Sequence, residues 1–284
     1  REPNYALERF FAAKNSEKLK FCLLVANHDG HHGSWMLTDK RWNDACEYFL
    51  HYMSKPNALK VDGKPLIIIF NTDILVRTMG GEENVGKGIE YLHDKCVKSG
   101  LGGCVVAAAF PAFRNPDCSI DEKPDRWKTY SEKLQKLGFD AVTGYNYSRH
   151  FCLDKNGSKF YEYPFDNLCA DYEKVWELMA ENSVLPYMPA VNGGWDCRPW
   201  QTVWETYESV GQYMPDTCYS DDMSGEKLER HVKNLESFIA AHKDKCLSDL
   251  SVCYAWNELG EGGFIAPTKE KGDEYLRAIK RAIG

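Results

Sequence analysis

The stretch Val252–Thr268 reads VCYAWNELGEGGFIAPT, and it combines a strand, a tight turn and two acidic side chains. Residues Ser251–Trp256 are mostly aromatic and apolar, and a charged helical pattern precedes them, so they predict a buried strand. Three glycines within four residues then allow the backbone to take positive φ angles where the strand ends. The pattern therefore places Glu258 and Glu261 at the carboxyl end of a strand.

Two carboxyl groups at a strand end suit the cleavage of a glycosidic bond. One acid must protonate the leaving oxygen, and one base or nucleophile must act at the anomeric side. Alternation along the strand predicts that Glu258 shares a face with Tyr254 and Trp256. Trp256 would then form a dry wall beside Glu261, which makes Glu261 the better acid. Two solvated acids on a surface loop would show the same spacing, so the other strands must discriminate between these interpretations.

The composition excludes several classes of protein. The chain has 284 residues, of which 43% are hydrophobic, enough for one large core or two modest domains. Its formal net charge is −7 and it has no basic tract, so nucleic acid is not an expected partner. No apolar run reaches membrane-spanning length. Aromatic residues make up 13% of the chain, which suits sugar stacking but also a large core.

The 11 cysteines show no CxxC or other close pairing. Zinc sites need paired ligands at short spacing, so we predict neither a metal site nor another cofactor. Cys22, Cys104 and Cys253 lie in apolar strand-like runs and are expected to be buried free thiols. One or two loop disulfides remain open among four other cysteines: Cys118, Cys152, Cys169 and Cys197.

Strand-like and helix-like segments alternate along the whole chain, without a repeat or a linker. Six segments predict strands: Phe21–Ala26, Pro65–Phe70, Gly103–Phe110, Ala141–Tyr147, Val184–Val191 and Ser251–Trp256. This alternation is typical of parallel βα units whose sheet is covered by helices on both faces. No glycine-rich phosphate loop follows the first strand, which disfavours a doubly wound nucleotide-binding fold.

Polar, aromatic and acidic side chains follow several of these strands, as they do on the active face of a (β/α)8 barrel. They are Asn27, His28, Asn71, Asp73, Tyr145, Asn146, Trp195, Asp196, Glu258 and Glu261. We therefore predict an α/β fold, a (β/α)8 TIM barrel, as a single catalytic domain over residues 1–284. Such a barrel closes with eight strands, so we expect its first two βα units to lie outside this sequence.

Four stretches together resemble glycoside hydrolase family 99 and its WbsX-type relatives. They occur in the family's order: Lys20–Asn27 (KFCLLVAN), Val61–Ile69 (VDGKPLIII), Gly194–Pro199 (GWDCRP) and Ala255–Gly262 (AWNELGEG). The last is the most specific. The resemblance implies a (β/α)8 barrel and a retaining, endo-acting α-mannosidase. It also implies that Glu258 deprotonates the 2-hydroxyl of the sugar, while Glu261 acts as general acid and then base through a 1,2-anhydro sugar.

The chain departs from this family where substrate contacts are expected. His28 stands where the family often has Glu, Ala266 stands where an acid often precedes the proline, and Leu259–Gly260 lack the usual aromatic. These departures leave the sugar open, while both acids are retained. Substrate contact is predicted for side chains at the strand ends and beside the acids: Asn27, His28, Tyr145, Asn146, Trp195, Asp196, Trp256 and Asn257.

Several of these residues have an equally good structural interpretation. Trp195 fits a sugar-stacking ring and also a buried residue beside a turn-forming Asp196. Histidines in the loop 28–32 are competent metal ligands, but neighbours along one loop rarely converge on one ion.

Two functions follow from these features, and both have an oligosaccharide or polysaccharide as the partner. The first is a retaining hydrolase of an α-linked, mannose-like glycan. The alternative is a non-catalytic or glycosyltransferase-type relative that binds sugar in polysaccharide assembly. Nucleotide-sugar transferases normally need a diphosphate site, and Asp221–Asp222 lies away from the strand ends, so hydrolysis is favoured.

Overall fold

A computed structural model describes residues 5–27, 37–147, 160–196, 198 and 217–284. The helices are α1 (Tyr5–Ala12), α2 (Asp39–Met53), α3 (Thr72–Met79), α4 (Glu82–Lys98), α5 (Pro124–Lys136), α6 (Phe165–Asn182), α7 (Gly225–Ala241) and α8 (Glu274–Ile283). The strands are β1 (Leu23–Val25), β2 (Lys60–Val61), β3 (Lys64–Ile69), β4 (Val105–Ala109), β5 (Ala141–Thr143), β6 (Phe160–Glu162), β7 (Tyr187–Met188), β8 (Ala190–Asn192), β9 (Thr217–Tyr219), β10 (Val252–Tyr254), β11 (Asn257–Glu258) and β12 (Gly263–Phe264).

The chain forms two compact units, and the first holds the described residues up to Ala109 together with Lys133–Ala141. Its strands β1, β3 and β4 are parallel, while β2 pairs antiparallel with β3. Five of the six residues of β3 and all of β4 are buried. Burial of this extent is what parallel strands covered by helices require.

The second unit holds Phe110–Glu132 and the described residues from Val142 onward. It contains three parallel pairs, β5 with β7, β8 with β10, and β6 with β9. Strands β11 and β12 form a short antiparallel hairpin after β10. Helix α6 supports β8 from behind, since the indole nitrogen of Trp176 donates a hydrogen bond to the carbonyl of Ala190 at 2.7 Å.

All six predicted strands have different bounds in the structure, and two of these differences lie beside the candidate site. The predicted strand Val184–Val191 is divided into β7 and β8 at Pro189, which has no N–H to donate to a ladder. The predicted buried strand Ser251–Trp256 is reduced to β10, in which only Tyr254 is buried. Parallel strands that alternate with helices nevertheless confirm the α/β class.

The thiols follow the prediction in part. Among the residues that the structure describes, eight cysteines are free, and Cys104 is buried as expected. Cys22 is only half-buried. Cys253 is exposed, so the predicted burial of the Cys253 thiol is wrong. Cys118 is disulfide-bonded.

One further expectation concerns membranes. Among the helices of the described residues, none combines the length and the apolar character needed to cross a bilayer.

Candidate active site

The two predicted acids lie on the hairpin that follows strand β10. Glu258 ends β11, and Glu261 ends a 3₁₀ turn over Leu259–Glu261. Gly262 closes this turn with a φ of +67°, a conformation that side chains with a Cβ rarely adopt. The hairpin thus presents Glu258 from a short strand and Glu261 from the turn beside it.

Glu261 is bound to the side chain of Tyr254. The Tyr254 hydroxyl donates a hydrogen bond to the Oε2 atom of Glu261. Tyr254 is only 1% exposed. Burial raises the pKa of Tyr254 far above its ordinary value, and the charge of Glu261 and their hydrogen bond raise it further. Tyr254 therefore remains a neutral hydrogen-bond donor throughout the physiological pH range.

Glu258 is bound more weakly to Tyr145. The Tyr145 hydroxyl donates to the Oε1 atom of Glu258 at 3.4 Å, at the long end of hydrogen-bond distances. The Tyr145 ring lies edge-on to Tyr254, with centroids 5.1 Å apart. The pKa of Tyr145 is raised by burial, then by the charge of Glu258, then by that of Glu261.

Tyr145 binds Glu258, Tyr254 binds Glu261, and the rings of the two tyrosines are in contact. The four side chains Tyr145, Tyr254, Glu258 and Glu261 therefore form one group, the Tyr–Glu cluster.

Backbone contacts hold the acidic hairpin against the loop that follows β8. The Asp196 N–H donates to the carbonyl of Glu261 at 2.7 Å. A Cβ at Gly194 would lie under 3.0 Å from the carbonyl oxygen of Gly262, and a Cβ at Gly262 would lie as close to the backbone of Asp196. Glycine is therefore required on both sides of this contact, because real Cβ atoms do not approach backbone so closely.

Trp195 and Asp196 have structural contacts within this loop. Trp195 is 3% exposed, with its ring 6.2 Å from that of Tyr254, so the structure favours core packing over sugar stacking. Arg198 holds both carboxylate oxygens of Asp196, at 2.8 and 2.7 Å. The guanidinium of Arg198 also lies 3.6 Å from the centroid of the Tyr219 ring. Such a bidentate pair fixes the loop beside the Tyr–Glu cluster.

Asn146 and Asn27 are also engaged by protein groups. The Oδ1 atom of Asn146 accepts a hydrogen bond from the hydroxyl of Tyr172 at 3.2 Å. Asn27 is buried in the first unit, where its side chain bonds to both the N–H and the carbonyl of Asn71. These contacts give Asn27 a structural role at the start of α3. His28 lies outside the described residues, so its predicted substrate contact stays a prediction.

Trp256 and Asn257 are exposed beside the acids. Trp256 is 55% exposed, whereas Tyr254 is almost fully buried. The predicted common face for these two aromatic residues is therefore wrong, because β10 ends at Tyr254 and strand alternation does not continue beyond it. Tyr254 therefore forms the buried, apolar side of the site, and the ring of Trp256 is accessible to a ligand.

Among the described residues, no group of three or more His, Cys, Asp or Glu side chains is arranged to hold a metal ion, and the histidine loop 28–32 lies outside those residues.

Comparison with known proteins agrees with the resemblance in the sequence. The model of the family described as glycosyltransferase WbsX matches residues 5–279. The chain belongs to this family. Among curated proteins, none matches it.

Two solved structures resemble this WbsX-family chain in fold. One is the GH99 endo-alpha-mannosidase from Bacteroides thetaiotaomicron, with a TM-score of 0.58 and 14% identity, covering 99% of this chain and 71% of that one. The other is a glycoside hydrolase-like protein, with a TM-score of 0.51 and 19% identity, covering 85% of this chain and 60% of that one. At these identities the likeness shows the fold alone, and it confirms the predicted (β/α)-barrel class.

Sequence reasoning missed two contacts at the candidate site. Strand alternation predicts Tyr254 only as an aromatic residue on the face of Glu258, although its hydroxyl binds Glu261. The adjacent glycines after Glu261 are the sequence signal that accompanies this contact, since a Cβ at Gly263 would clash with the Tyr254 ring. Arg198 was part of the quoted GWDCRP stretch, but its pairing with Asp196 depends on a loop conformation that spacing does not show.

Proposed function

We propose that this WbsX-family chain is a retaining glycoside hydrolase that cleaves internal bonds of an α-linked, mannose-like glycan. The observation that carries the proposal is the Tyr–Glu cluster, in which two carboxylates at a strand end are bound by two tyrosines whose rings are in contact. Paired carboxyl groups are what this chemistry requires. The likeness to glycoside hydrolases in fold supports a sugar-processing role.

The family resemblance assigns the two acids different roles. Glu258 takes the proton of the sugar's 2-hydroxyl, and that oxygen attacks the anomeric carbon to form a 1,2-anhydro sugar. Glu261 gives its proton to the departing glycosidic oxygen. Water then attacks the same carbon, Glu261 takes the water's proton, and Glu258 returns its proton to the 2-oxygen. Both inversions together retain the anomeric configuration.

Trp256 is the residue best placed to bind the sugar by stacking. Its ring is 55% exposed and lies two residues before Glu258. Aromatic faces bind the apolar face of sugars. Replacing Trp256 by alanine should therefore raise KM more than it lowers kcat, because the ring binds substrate and transition state alike.

The test is hydrolysis of α-mannan and α-mannooligosaccharides, measured by the release of reducing ends. Glu258→Gln and Glu261→Gln should each lose about 10²–10⁴-fold in rate, the usual contribution of general acid–base groups. Glu270→Gln, which changes an exposed acid beyond the hairpin, is the matched control. NMR detection of the first anomer formed reports retention directly.

The two acids can be told apart by the leaving group. Aryl glycosides with activated leaving groups need no protonation, so they should partly restore Glu261→Gln but not Glu258→Gln. Near wild-type hydrolysis by both variants, on a substrate that the parent cleaves, would refute the assignment.

A second candidate function is a glycosyltransferase-type or non-catalytic sugar-binding protein. It is favoured by the description of the family, which names a glycosyltransferase. Thermal shift with GDP- and UDP-sugars discriminates between the two. Stabilisation by a nucleotide sugar without release of reducing ends would support this second function.

A further inference from the structure

Tyr254 is the residue on which the contacts of the Tyr–Glu cluster converge. Its ring lies edge-on to Tyr145 at 5.1 Å and faces Trp195 at 6.2 Å. Its hydroxyl reaches the carboxylate of Glu261. No other side chain of the cluster is buried to the same extent.

The position of the Tyr254 hydroxyl is fixed from several sides. The Tyr254 carbonyl accepts a hydrogen bond from the N–H of Gly193 at 2.5 Å, and Tyr254 pairs with Asn192 in the β8–β10 ladder. Gly263 lies so close to the ring that a Cβ there would fall under 3.0 Å from it. A ring confined in this way cannot move when the Glu261 side chain moves. The hydrogen bond from its hydroxyl therefore holds the carboxyl group of Glu261 in place.

The hydrogen bond also favours one protonation state of Glu261. A donor directed at a carboxyl group stabilises the carboxylate more than the acid, and a hydrogen bond to a charged group is among the stronger ones. The bond from Tyr145 to Glu258 is longer, and Tyr145 is only half-buried. The two acids are therefore supported unequally, and Glu261 has the stronger donor.

We propose that Tyr254 is a positioning residue for Glu261, whose carboxyl group it holds in place and whose charged form it stabilises. The catalytic consequence rests on the proposed hydrolase function. A general acid releases its proton more readily when its conjugate base is stabilised, and Tyr254 supplies that stabilisation as the glycosidic bond breaks. The cost is that Glu261 holds its proton only at lower pH, which moves the optimum for hydrolysis to the acidic side.

The test replaces Tyr254 by phenylalanine and follows two pH dependences. In protein labelled with ¹³C at the glutamate carboxyls, the Glu261 signal is assigned by its absence from Glu261→Gln. In Tyr254→Phe this signal should titrate about one pH unit higher than in the parent, given the strength of a bond to a charged group. The basic limb of the kcat/KM profile should move in the same direction.

Tyr187→Phe is the matched control. Its hydroxyl bonds to that of Tyr147 at 3.2 Å, and both rings are buried, so it also loses one buried hydroxyl. It should leave both pH dependences unchanged, because the bond it removes does not involve a carboxylate. A purely structural effect of losing a buried hydroxyl would change the thermal stability of both variants and the titration of neither.

A second measurement does not depend on how well Tyr254→Phe folds. Fluorotyrosine at position 254 keeps the ring in place and makes the hydroxyl a stronger donor, so the Glu261 signal should titrate at lower pH. An unchanged Glu261 titration in both the phenylalanine and the fluorotyrosine proteins would overturn the inference. If the Glu261 titration shifts as expected but no α-glycan is hydrolysed, the inference about Tyr254 stands and only the hydrolase function is contradicted.

Discussion

Gly262→Ala should damage the candidate site more than any change to an exposed residue of the same hairpin. Gly262 has a φ of +67°, and a Cβ there would approach the backbone nitrogen, Cα and side chain of Asp196 under 3.0 Å. Those atoms belong to the backbone contact that joins the hairpin to the loop after β8. An alanine side chain must therefore push the two segments apart.

The cost has two separable parts. A residue with a Cβ in the left-handed region costs about 1–2 kcal/mol. Forcing an extra methyl group into a packed contact costs about 1–3 kcal/mol more. The free energy of unfolding should fall by about 2–5 kcal/mol in total. Displacement of Glu261 by even about 1 Å should reduce kcat about 10²-fold.

Gly272→Ala measures the cost of the positive φ angle alone. Gly272 has a φ of +55°, and no atom lies within 4 Å of the position that its Cβ would take. Thermal unfolding of the two variants measures the difference, and Gly262→Ala should unfold roughly 2–12 °C below Gly272→Ala. Kinetics on an α-mannan substrate should show the loss of kcat in Gly262→Ala only.

Equal unfolding midpoints for the two variants would refute this reasoning. They would mean that Gly262 is required for its backbone angle alone and that the hairpin does not press against Asp196. A stability loss without a loss of activity would show that the contact supports the fold and leaves Glu261 in place.

Three further outcomes follow from contacts elsewhere in the two units. Arg114→Ala should lower the free energy of unfolding in urea by about 3–5 kcal/mol, because it removes the guanidinium 3.0 Å from the largely buried Asp171. His93→Gln should lower the unfolding midpoint near pH 5 and leave it unchanged near pH 9. The hydrogen bond to Asp140 raises the pKa of His93. The protonated imidazole therefore stabilises the folded chain fully below about pH 6.5, and this stabilisation disappears as pH rises through the raised pKa. Native alkylation followed by mass spectrometry should label exposed Cys253 before the buried thiols, because the reagent reaches an exposed sulfur without unfolding of the chain.

The long helices could be predicted closely from the sequence. Apolar residues at helical spacing predict helices over Gly225–Lys243 and Asp125–Leu137, and the structure has helices over Gly225–Ala241 and Pro124–Lys136. Apolar residues at helical spacing determine which face is buried, and this signal is repeated over several turns. Short strands lack such repetition, so one proline or one turn changes their bounds.

The order of polar residues after strands located the candidate acids but not their surroundings. Alternation along a strand is a local rule, and it fails where β10 ends at Tyr254. The burial of Trp195 and the bond between Tyr254 and Glu261 depend on how the hairpin meets the loop after β8. A contact between segments some sixty residues apart in sequence has no local signature other than glycines that tolerate no Cβ.

The position of Glu261 and the exposed surface of this hairpin depend on different residues. Glu261 is held by the backbone contact at Gly262 and by the buried Tyr254, and neither contact involves the side chain at position 259. Leu259 is 57% exposed, although it lies between the two acids in sequence. Under the proposed hydrolase function, the residue at position 259 can thus affect which glycan is bound without changing the contacts that hold Glu261.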